Sequence, residues 1–168
     1  MICPSCGFEN IQGVDECENC GADLRTADIP EASNAFEASL VDMPLAAVRH
    51  HTPLTIDPGA PAADALRQMK DAGVGCLLVE DANGKLRGIL SERDLLMKLT
   101  GTRLDEVRVS ELMTADPVVL REDDSIAVAL HKMAVGGFRH IPLVEEHGHA
   151  TGIVSARDVF RHILAALK

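Results

Sequence analysis

The octet Gly-Ile-Leu-Ser-Glu-Arg-Asp-Leu at residues 88–95 returns as Gly-Ile-Val-Ser-Ala-Arg-Asp-Val at residues 152–159. The two octets lie 64 residues apart, and at the same offset, without gaps, further Pro, Ala, Leu, Met and Gly residues coincide, including Pro53 with Pro117. Self-similarity at a fixed offset is typical of a tandem repeat. The chain is therefore predicted to contain two copies of one structural unit.

Each octet is predicted to be the end of a strand that leads into a helix, with Ser91 and Ser155 at the N-cap positions. The Asp three residues after each Ser also fits a capping box, in which the two residues satisfy each other's free N–H groups. A cap needs no Arg, yet Arg precedes both acids. Helix N–H groups and a guanidinium suit a phosphate, and a carboxylate suits the ribose hydroxyls. The octets thus favour two nucleotide sites, with helix capping as the alternative.

The hydrophobic pattern around the octets predicts the order β-α-β-β-α in each repeat. Polar turns that contain Asn83-Gly84 and His147-Gly148 are predicted to close a hairpin between the two middle strands. The predicted elements before the final helices are Leu54–Ile56, Pro61–Ala72, Cys76–Glu80 and Leu86–Leu90 in the first repeat, and Val118–Leu120, Ser125–Val135, Arg139–Val144 and Ala150–Val154 in the second.

Composition indicates a folded chain of 168 residues with 46% apolar residues and a net charge of −10. No apolar run is long enough to cross a bilayer, and no signal peptide follows Met1, so we expect a cytoplasmic protein without a membrane partner. Residues 1–43 hold nine acidic residues against Arg25 alone. Nucleic-acid binding is disfavoured because phosphate contacts need clustered Lys and Arg.

Two Cys-x-x-Cys-Gly knuckles stand near the N-terminus, separated by ten residues. Four thiolates at this spacing predict a tetrahedral metal site made by Cys3, Cys6, Cys17 and Cys20. Disulfides are the competing interpretation, which a cytoplasmic setting disfavours. Zn²⁺ is the expected ion, and iron can occupy the same four sulfurs. A fully thiolate-coordinated site is structural rather than hydrolytic, and so short a segment needs its metal to fold.

Residues 25–43 mix Pro, Ser, Asn and acids without strong periodicity and are predicted to be a linker. The fifth cysteine, Cys76, lies in an apolar run and is expected to be buried. Met69 and Met133 occupy matched helical positions and are expected in the core. The predicted organisation is a zinc ribbon at residues 1–24, the linker at 25–43, and repeats at 44–104 and 105–168.

The element order and three kinds of motif resemble a pair of CBS domains over residues 44–168. The motifs are Ser110–Val118, Gly137–Val144 and the two octets. Residues 3–24 resemble small prokaryotic zinc ribbons, whose knuckles look like those of rubredoxins. The resemblance implies an α/β fold of tandem β-α-β-β-α CBS repeats behind an N-terminal zinc ribbon. It also implies a regulatory module that binds adenosine-containing ligands between the repeats and commonly forms homodimers.

The resemblance also implies which residues bind the ligand. Asp94 and Asp158 match the ribose-binding acid, and Ser91 and Ser155 match the hydroxyl that contacts ribose or phosphate. The remaining candidates are Arg93, Arg157 and Arg139 for phosphate, Thr114, Pro117 and Val118 for the adenine pocket, and His140 and Ile141 for the strand that closes it.

The first repeat departs from this pattern, since Gly75–Leu78 stands where the second repeat has Arg139–Pro142. That strand offers no cationic side chain in the first repeat. One site is therefore predicted to be empty or to hold a different ligand, and Asp158 ranks above Asp94, although ligand phosphates often reach across to the other repeat.

The sequence shows no nucleophile–base pair, no phosphate-binding Gly-rich loop with Lys, and no open metal site, so we do not expect an enzyme. The expected function is a regulatory sensor of AMP, ADP, ATP, S-adenosylmethionine or NAD, with a ribbon that docks an unidentified protein partner. Two alternatives stay open at this point. One is a metal- or redox-responsive protein or interaction scaffold in which the four-cysteine site is the working part, and the other is a nucleic-acid-binding ribbon.

Overall fold

A computed structural model describes residues 2–11, 14–24, 35–98 and 103–166. The chain divides into two compact units, which do not coincide with the two repeats. The ribbon unit comprises Met1–Arg49, Arg121–Ile141 and Val154–Lys168, and the sheet unit comprises His50–Leu120 and Pro142–Ile153. None of the helices among the described residues is long and apolar enough to cross a bilayer. The domain boundaries given above stay predictions.

The helices and strands follow the repeat pattern closely. The helices are α1 (Ala35–Asp42), α2 (Ala62–Ala72), α3 (Glu92–Lys98), α4 (Val109–Leu112), α5 (Ile126–Gly136) and α6 (Ala156–Ala166), with a 3-10 turn at Leu45–Ala47. The strands are β1 (Thr55–Ile56), β2 (Cys76–Glu80), β3 (Leu86–Ser91), β4 (Thr114–Ala115), β5 (His140–Val144) and β6 (Ala150–Ser155). The predicted middle strands and both amphipathic helices of each repeat are confirmed.

The sheet unit is built on a four-stranded sheet in the order β1-β2-β3-β4. Strand β1 is parallel to β2, and the other neighbours are antiparallel. Leu77, Val79 and Leu90 of the sheet pack against Met69 of α2, which confirms this methionine as a core residue. Cys76 is buried against the neighbouring strand, as expected for a small apolar side chain.

A side chain at the first residue of either octet would clash with a neighbouring segment of the chain, so both positions favour Gly. A Cβ on Gly88 would lie 2.8 Å from the Thr114 carbonyl oxygen, and Gly88 pairs with Ala115 of β4. A Cβ on Gly152 would lie 2.7 Å from a ring carbon of His50. Both contacts lie inside the sheet unit. The Gly of each octet therefore lies against a segment of the other repeat.

The ribbon unit combines the Cys knuckles with α1, α5 and α6. Ser125 caps α5 by accepting the Val128 N–H at 3.3 Å, and the buried face of α5 includes Ile126 and Met133, which confirms Met133 as a core residue. The chain leading into the repeats runs alongside the start of α5, since the Ile126 N–H donates to the Met43 carbonyl at 2.9 Å.

One sequence prediction differs from the structure. The strand predicted at 118–120 is absent, and only Leu120 forms a single parallel bridge to Leu143. The strand lies earlier, at β4, because Asp116 adopts a left-handed backbone with φ +45° and Pro117 has no N–H to donate. The predicted linker contains helix α1, which lies against α5. Residues 25–34 of that linker lie outside the described residues.

Candidate ligand and metal sites

The four knuckle cysteines converge, as the spacing predicts. Their sulfurs all lie within 4.8 Å of one another, with Cys3 Sγ 3.7 Å from Cys20 Sγ and Cys6 Sγ 3.6 Å from Cys17 Sγ. Four sulfurs at about 2.3 Å from one tetrahedral ion lie about 3.8 Å apart, so the spacing matches a metal site and not a disulfide. The four cysteines can hold a metal ion.

Backbone turns at the two knuckles aim the sulfurs inward. The Gly7 N–H donates to the Cys3 carbonyl at 2.9 Å, and the Gly21 N–H donates to the Cys17 carbonyl at 2.8 Å. Both glycines have φ near +70°, a conformation that a side chain disfavours. The Gly after each Cys pair is therefore part of the knuckle geometry.

Two asparagines that the sequence analysis did not single out support the sulfurs. Asn10 is buried and its amide donates to Cys17 Sγ at 3.5 Å, while Asn19 donates to Cys6 Sγ at 3.6 Å. Burial raises the pKa of the Cys17 thiol, but the backbone N–H groups of Cys20 and Asn19 act against it. Together with the Asn10 amide they lower this pKa to about 6. A thiolate available near neutral pH favours metal binding.

At the first octet, Ser91 and Asp94 form the capping box that the sequence allowed. The Asp94 N–H donates to Ser91 Oγ at 3.3 Å, and Asp94 Oδ2 accepts the Ser91 N–H at 2.9 Å and its hydroxyl at 2.5 Å. The other oxygen, Oδ1, accepts the Thr114 hydroxyl at 3.1 Å and pairs with Lys98 Nζ at 3.0 Å. The first acid thus joins residues from both repeats.

Electrostatics at Asp94 favour the charged carboxylate. Burial raises the pKa of Asp94, but the Ser91 hydroxyl and the Lys98 ammonium outweigh it, so that the pKa lies below its usual value. Asp94 is therefore ionised at neutral pH and is a charged hydrogen-bond acceptor.

The second octet repeats the capping box with nearly the same distances. Asp158 Oδ2 accepts the Ser155 N–H at 3.1 Å and its hydroxyl at 2.5 Å, and the Asp158 N–H donates to Ser155 Oγ at 3.2 Å. The Ala156 N–H donates to the Arg139 carbonyl at 2.9 Å, so the start of α6 lies next to the residue that precedes β5. Both predicted helix caps are therefore present, and they share the residues proposed to bind ribose.

The remaining predicted ligand residues lie close to one octet or the other. Thr114 lies on β4, which pairs with the first octet, and its hydroxyl contacts Asp94 although Thr114 belongs to the second repeat. Pro117 and Val118 follow β4 and are not part of its pairing with β3. Along β5, Ile141 is buried, His140 is half-buried, and Arg139 just before it is exposed. Arg93 and Arg157 are exposed in the first turns of α3 and α6.

Lys98 is the site residue that sequence reasoning missed. Besides Asp94, its ammonium donates to the carbonyls of Leu112 at 2.7 Å and Met113 at 3.2 Å. The signal available in the sequence was a Lys four residues after the Asp on one helix, a spacing at which opposite charges pair. The contacts to the carbonyls at the end of α4 depend on tertiary structure and leave no pattern in the sequence.

The fold and the two matching octets define a tandem-repeat α/β module with the same capping box at two helix starts. The family model "CBS domain" matches residues 45–101 and 109–165. The chain therefore belongs to the CBS-domain family and carries a tandem pair of these domains, with a four-cysteine cluster near the N-terminus that can hold a metal ion.

Three related proteins support this assignment. An uncharacterized 17.7 kDa protein of Acidianus ambivalens is 35% identical over 109 residues, which are 65% of this chain and 66% of that protein. The CBS domain-containing protein CBSCBSPB5 of Arabidopsis thaliana is 39% identical over 94 residues, which are 55% of this chain but 17% of the plant protein. The structure of CBSX2 in complex with AMP superposes with a TM-score of 0.64 at 25% identity, covering 75% of this chain and 99% of that chain.

Proposed function

We propose that this chain is a non-catalytic regulatory protein whose CBS pair binds an adenosine-containing ligand at the two octets. The observation that carries the proposal is the repeated Ser–Asp constellation at a helix start, with an ionised carboxylate at Asp94 and the matching carboxylate at Asp158. A helix N-terminus and an adjacent Arg suit phosphate, and the carboxylate suits ribose. The AMP complex of CBSX2 supports an adenine nucleotide as the ligand class.

Ligand binding is expected to depend on Asp158. Calorimetric titration with AMP, ADP, ATP, S-adenosylmethionine and NADH should give micromolar binding of at least one ligand. Asp158→Asn should weaken binding at the second octet at least about 10-fold, because hydrogen bonds to a charged acceptor contribute about 1.5–3 kcal/mol each. The Asn amide oxygen can still accept the Ser155 N–H, so the helix cap is retained.

The exposed acid Asp123 offers a matched control, since Asp123→Asn changes the same net charge away from the octets. Protein concentration must come from amino-acid analysis because the chain has no Trp and no Tyr. Absence of binding to folded, metal-loaded protein would overturn the proposal. The octets would then be helix caps and the chain an interaction scaffold.

We propose Zn²⁺ as the ion of the four-cysteine site and a structural role for it. Four thiolates close the coordination sphere, and the ion would tie together a segment whose own core is limited to Cys3, Cys17 and Leu24. The exposure of Cys6 and Cys20 favours the alternative of a metal- or redox-responsive site, which solvent can reach. A colourless protein that contains zinc by elemental analysis supports the first role, and absorption bands of thiolate-bound iron support the second.

We also propose that the protein forms a homodimer through α3 and α6, the helices that begin inside the two octets. Leu96 on α3 is 82% exposed, and Phe160, at the equivalent position of α6, is 59% exposed. Large apolar side chains repeated at matched exposed positions favour burial against a second copy. In sedimentation experiments we expect a dimer, and Leu96→Glu should shift it towards monomer. Leu66→Glu, at an exposed position on α2, is the control, and a dimer that resists both Leu96→Glu and Phe160→Glu would contradict this interface.

A further inference from the structure

The protein itself fills every hydrogen-bond acceptor position of Asp94. A carboxylate offers about four lone-pair positions. Two are used by Ser91, at Oδ2, and two by Thr114 and Lys98, at Oδ1. A ribose can therefore reach this carboxylate only if one of these donors leaves.

Lys98 is a charged donor to Asp94, and its side chain is free enough to leave the carboxylate. Its side chain is 40% exposed, whereas that of Asp94 is 14% exposed. The ammonium has three N–H groups and keeps the Leu112 and Met113 carbonyls as acceptors when it releases Asp94. Ser91 belongs to the helix cap, and Thr114 lies on a strand whose backbone is paired with β3. Ser91 donates its backbone N–H as well as its hydroxyl, so it stays bound to the carboxylate. The Thr114 hydroxyl can rotate away, but it carries no charge that a ligand could neutralise.

The second octet has no lysine at this place. The residue 64 positions after Lys98 is His162, whose Nε2 lies 2.9 Å from Met43 Sδ. The two octets thus share their capping boxes and their Arg-Asp pairs but differ in the residue one turn after the acid. A difference between two otherwise repeated sites is a candidate determinant of different ligand preferences.

We propose that Lys98 is the specificity-determining residue of the Asp94 site, and that its ammonium admits an anionic adenine nucleotide and excludes the neutral nucleoside. This inference rests on the proposed function, because it concerns the same ligand class. Neutral carbonyls do not replace the carboxylate charge, so a ligand that displaces the ammonium from Asp94 binds more tightly when it offers the ammonium another anionic partner, as a nucleotide phosphate does. Adenosine has no such group. It would leave the ammonium without the carboxylate, so adenosine binds this site only weakly.

The test compares AMP with adenosine in protein whose second site is disabled. In the Asp158→Asn background, calorimetry should show AMP binding to the Asp94 site and adenosine binding at least about 10-fold more weakly. Adding Lys98→Met, which keeps an apolar stem of similar length, should strengthen adenosine binding about 10-fold and weaken AMP binding. Lys98→Arg keeps the positive charge and should restore the preference for AMP. Lys70→Met, at an exposed position on α2, is the control and should leave both affinities unchanged.

The other outcomes contradict the role of Lys98, or both that role and the proposed function. An adenosine-to-AMP affinity ratio that Lys98→Met leaves unchanged overturns the role of Lys98, and so does a loss of preference in Lys98→Arg, since shape rather than charge would then matter. Binding by wild-type protein that Asp158→Asn abolishes in every Lys98 variant also overturns it, while the proposed function stands. If no ligand binds to wild-type protein or to Lys98→Met, both proposals fail.

Discussion

Removal of the metal is expected to unfold the Cys knuckles while the sheet unit stays folded. The knuckle core contains only Cys3, Cys17 and Leu24, with Val14 and Ala22 packed beside it. Two of these core residues, Cys3 and Cys17, belong to the four-cysteine cluster that can hold a metal ion, so without an ion little apolar burial is left. Structural zinc in small domains contributes about 10–16 kcal/mol of binding free energy at neutral pH, far more than such a core can supply.

Hydrogen exchange with mass spectrometry can measure this expectation directly. After treatment with a strong chelator, peptides from residues 2–24 should lose protection, and peptides from β2 and β3 should keep it. Protection should return when Zn²⁺ is added back. Cys76→Ala is the matched control, because Cys76 is buried in the sheet unit and lies outside the four-cysteine cluster. Knuckle peptides that stay protected after complete metal removal would contradict a metal-dependent fold.

Asp15→Ala is expected to destabilise the ribbon unit by about 3 kcal/mol, more than the loss of a fully exposed acid of the knuckles. Asp15 forms an ion pair with Lys132 of α5, whose side chain is 4% exposed while that of Asp15 is 46% exposed. Removal of Asp15 leaves a buried ammonium without its carboxylate, and breaking buried pairs in this way typically costs about 3–5 kcal/mol. Because Asp15 is half-exposed, we expect a loss of stability at the lower end of this range.

The reverse substitution, Lys132→Met, should cost about 1 kcal/mol or less, because it removes the buried charge and keeps the volume, and water can solvate the half-exposed Asp15. The double variant should resemble Lys132→Met alone, so a double-mutant cycle gives a coupling of about 3 kcal/mol. Urea unfolding followed by circular dichroism measures these values. Glu16→Ala, at the neighbouring exposed acid, is the control, and equal effects of Asp15→Ala and Glu16→Ala would exclude a special role for this pair.

The predictions for metal removal and for Asp15→Ala both involve the ion pair between Asp15 of the knuckles and Lys132 of the second repeat. The pair joins a ribbon residue to a helix 117 positions further along the chain. Unfolding of the knuckles would remove the partner of Lys132, so metal loss should also lower the protection of α5. This effect should be smaller in Lys132→Met, which has no buried charge to lose its partner.

The sequence predicted those parts of the fold that depend on near neighbours. Strand β2 has the predicted bounds Cys76–Glu80, and α5 begins directly after the predicted cap Ser125. The knuckles and both Ser–Asp capping boxes also form between residues no more than 17 positions apart. Short-range periodicity, turn glycines and metal-ligand spacing report such local geometry directly.

Prediction failed where the local pattern competed with a backbone conformation. Residues 118–120 have strand-like composition, yet the left-handed Asp116 and Pro117 interrupt the extended segment. The helix α1 was missed because residues 35–42 show only a weak amphipathic pattern and are ordered by packing against α5. In the first case the local backbone at Asp116 and Pro117 selected the conformation, and in the second the helix lies against a helix distant in the sequence.

The order of residues was enough to predict the tandem repeat, the CBS-pair class, the cluster of four cysteines that can hold a metal ion, and the two acids at the helix starts. Repeats, spacing and caps are local properties of a chain. The partners of these groups became known only from the packed structure. Thr114 and Lys98 meet at Asp94, and Asp15 meets Lys132, only after strands and helices distant in the chain have packed together. These contacts depend on the direction and burial of side chains in the packed structure. Neither property corresponds to a fixed spacing along the sequence.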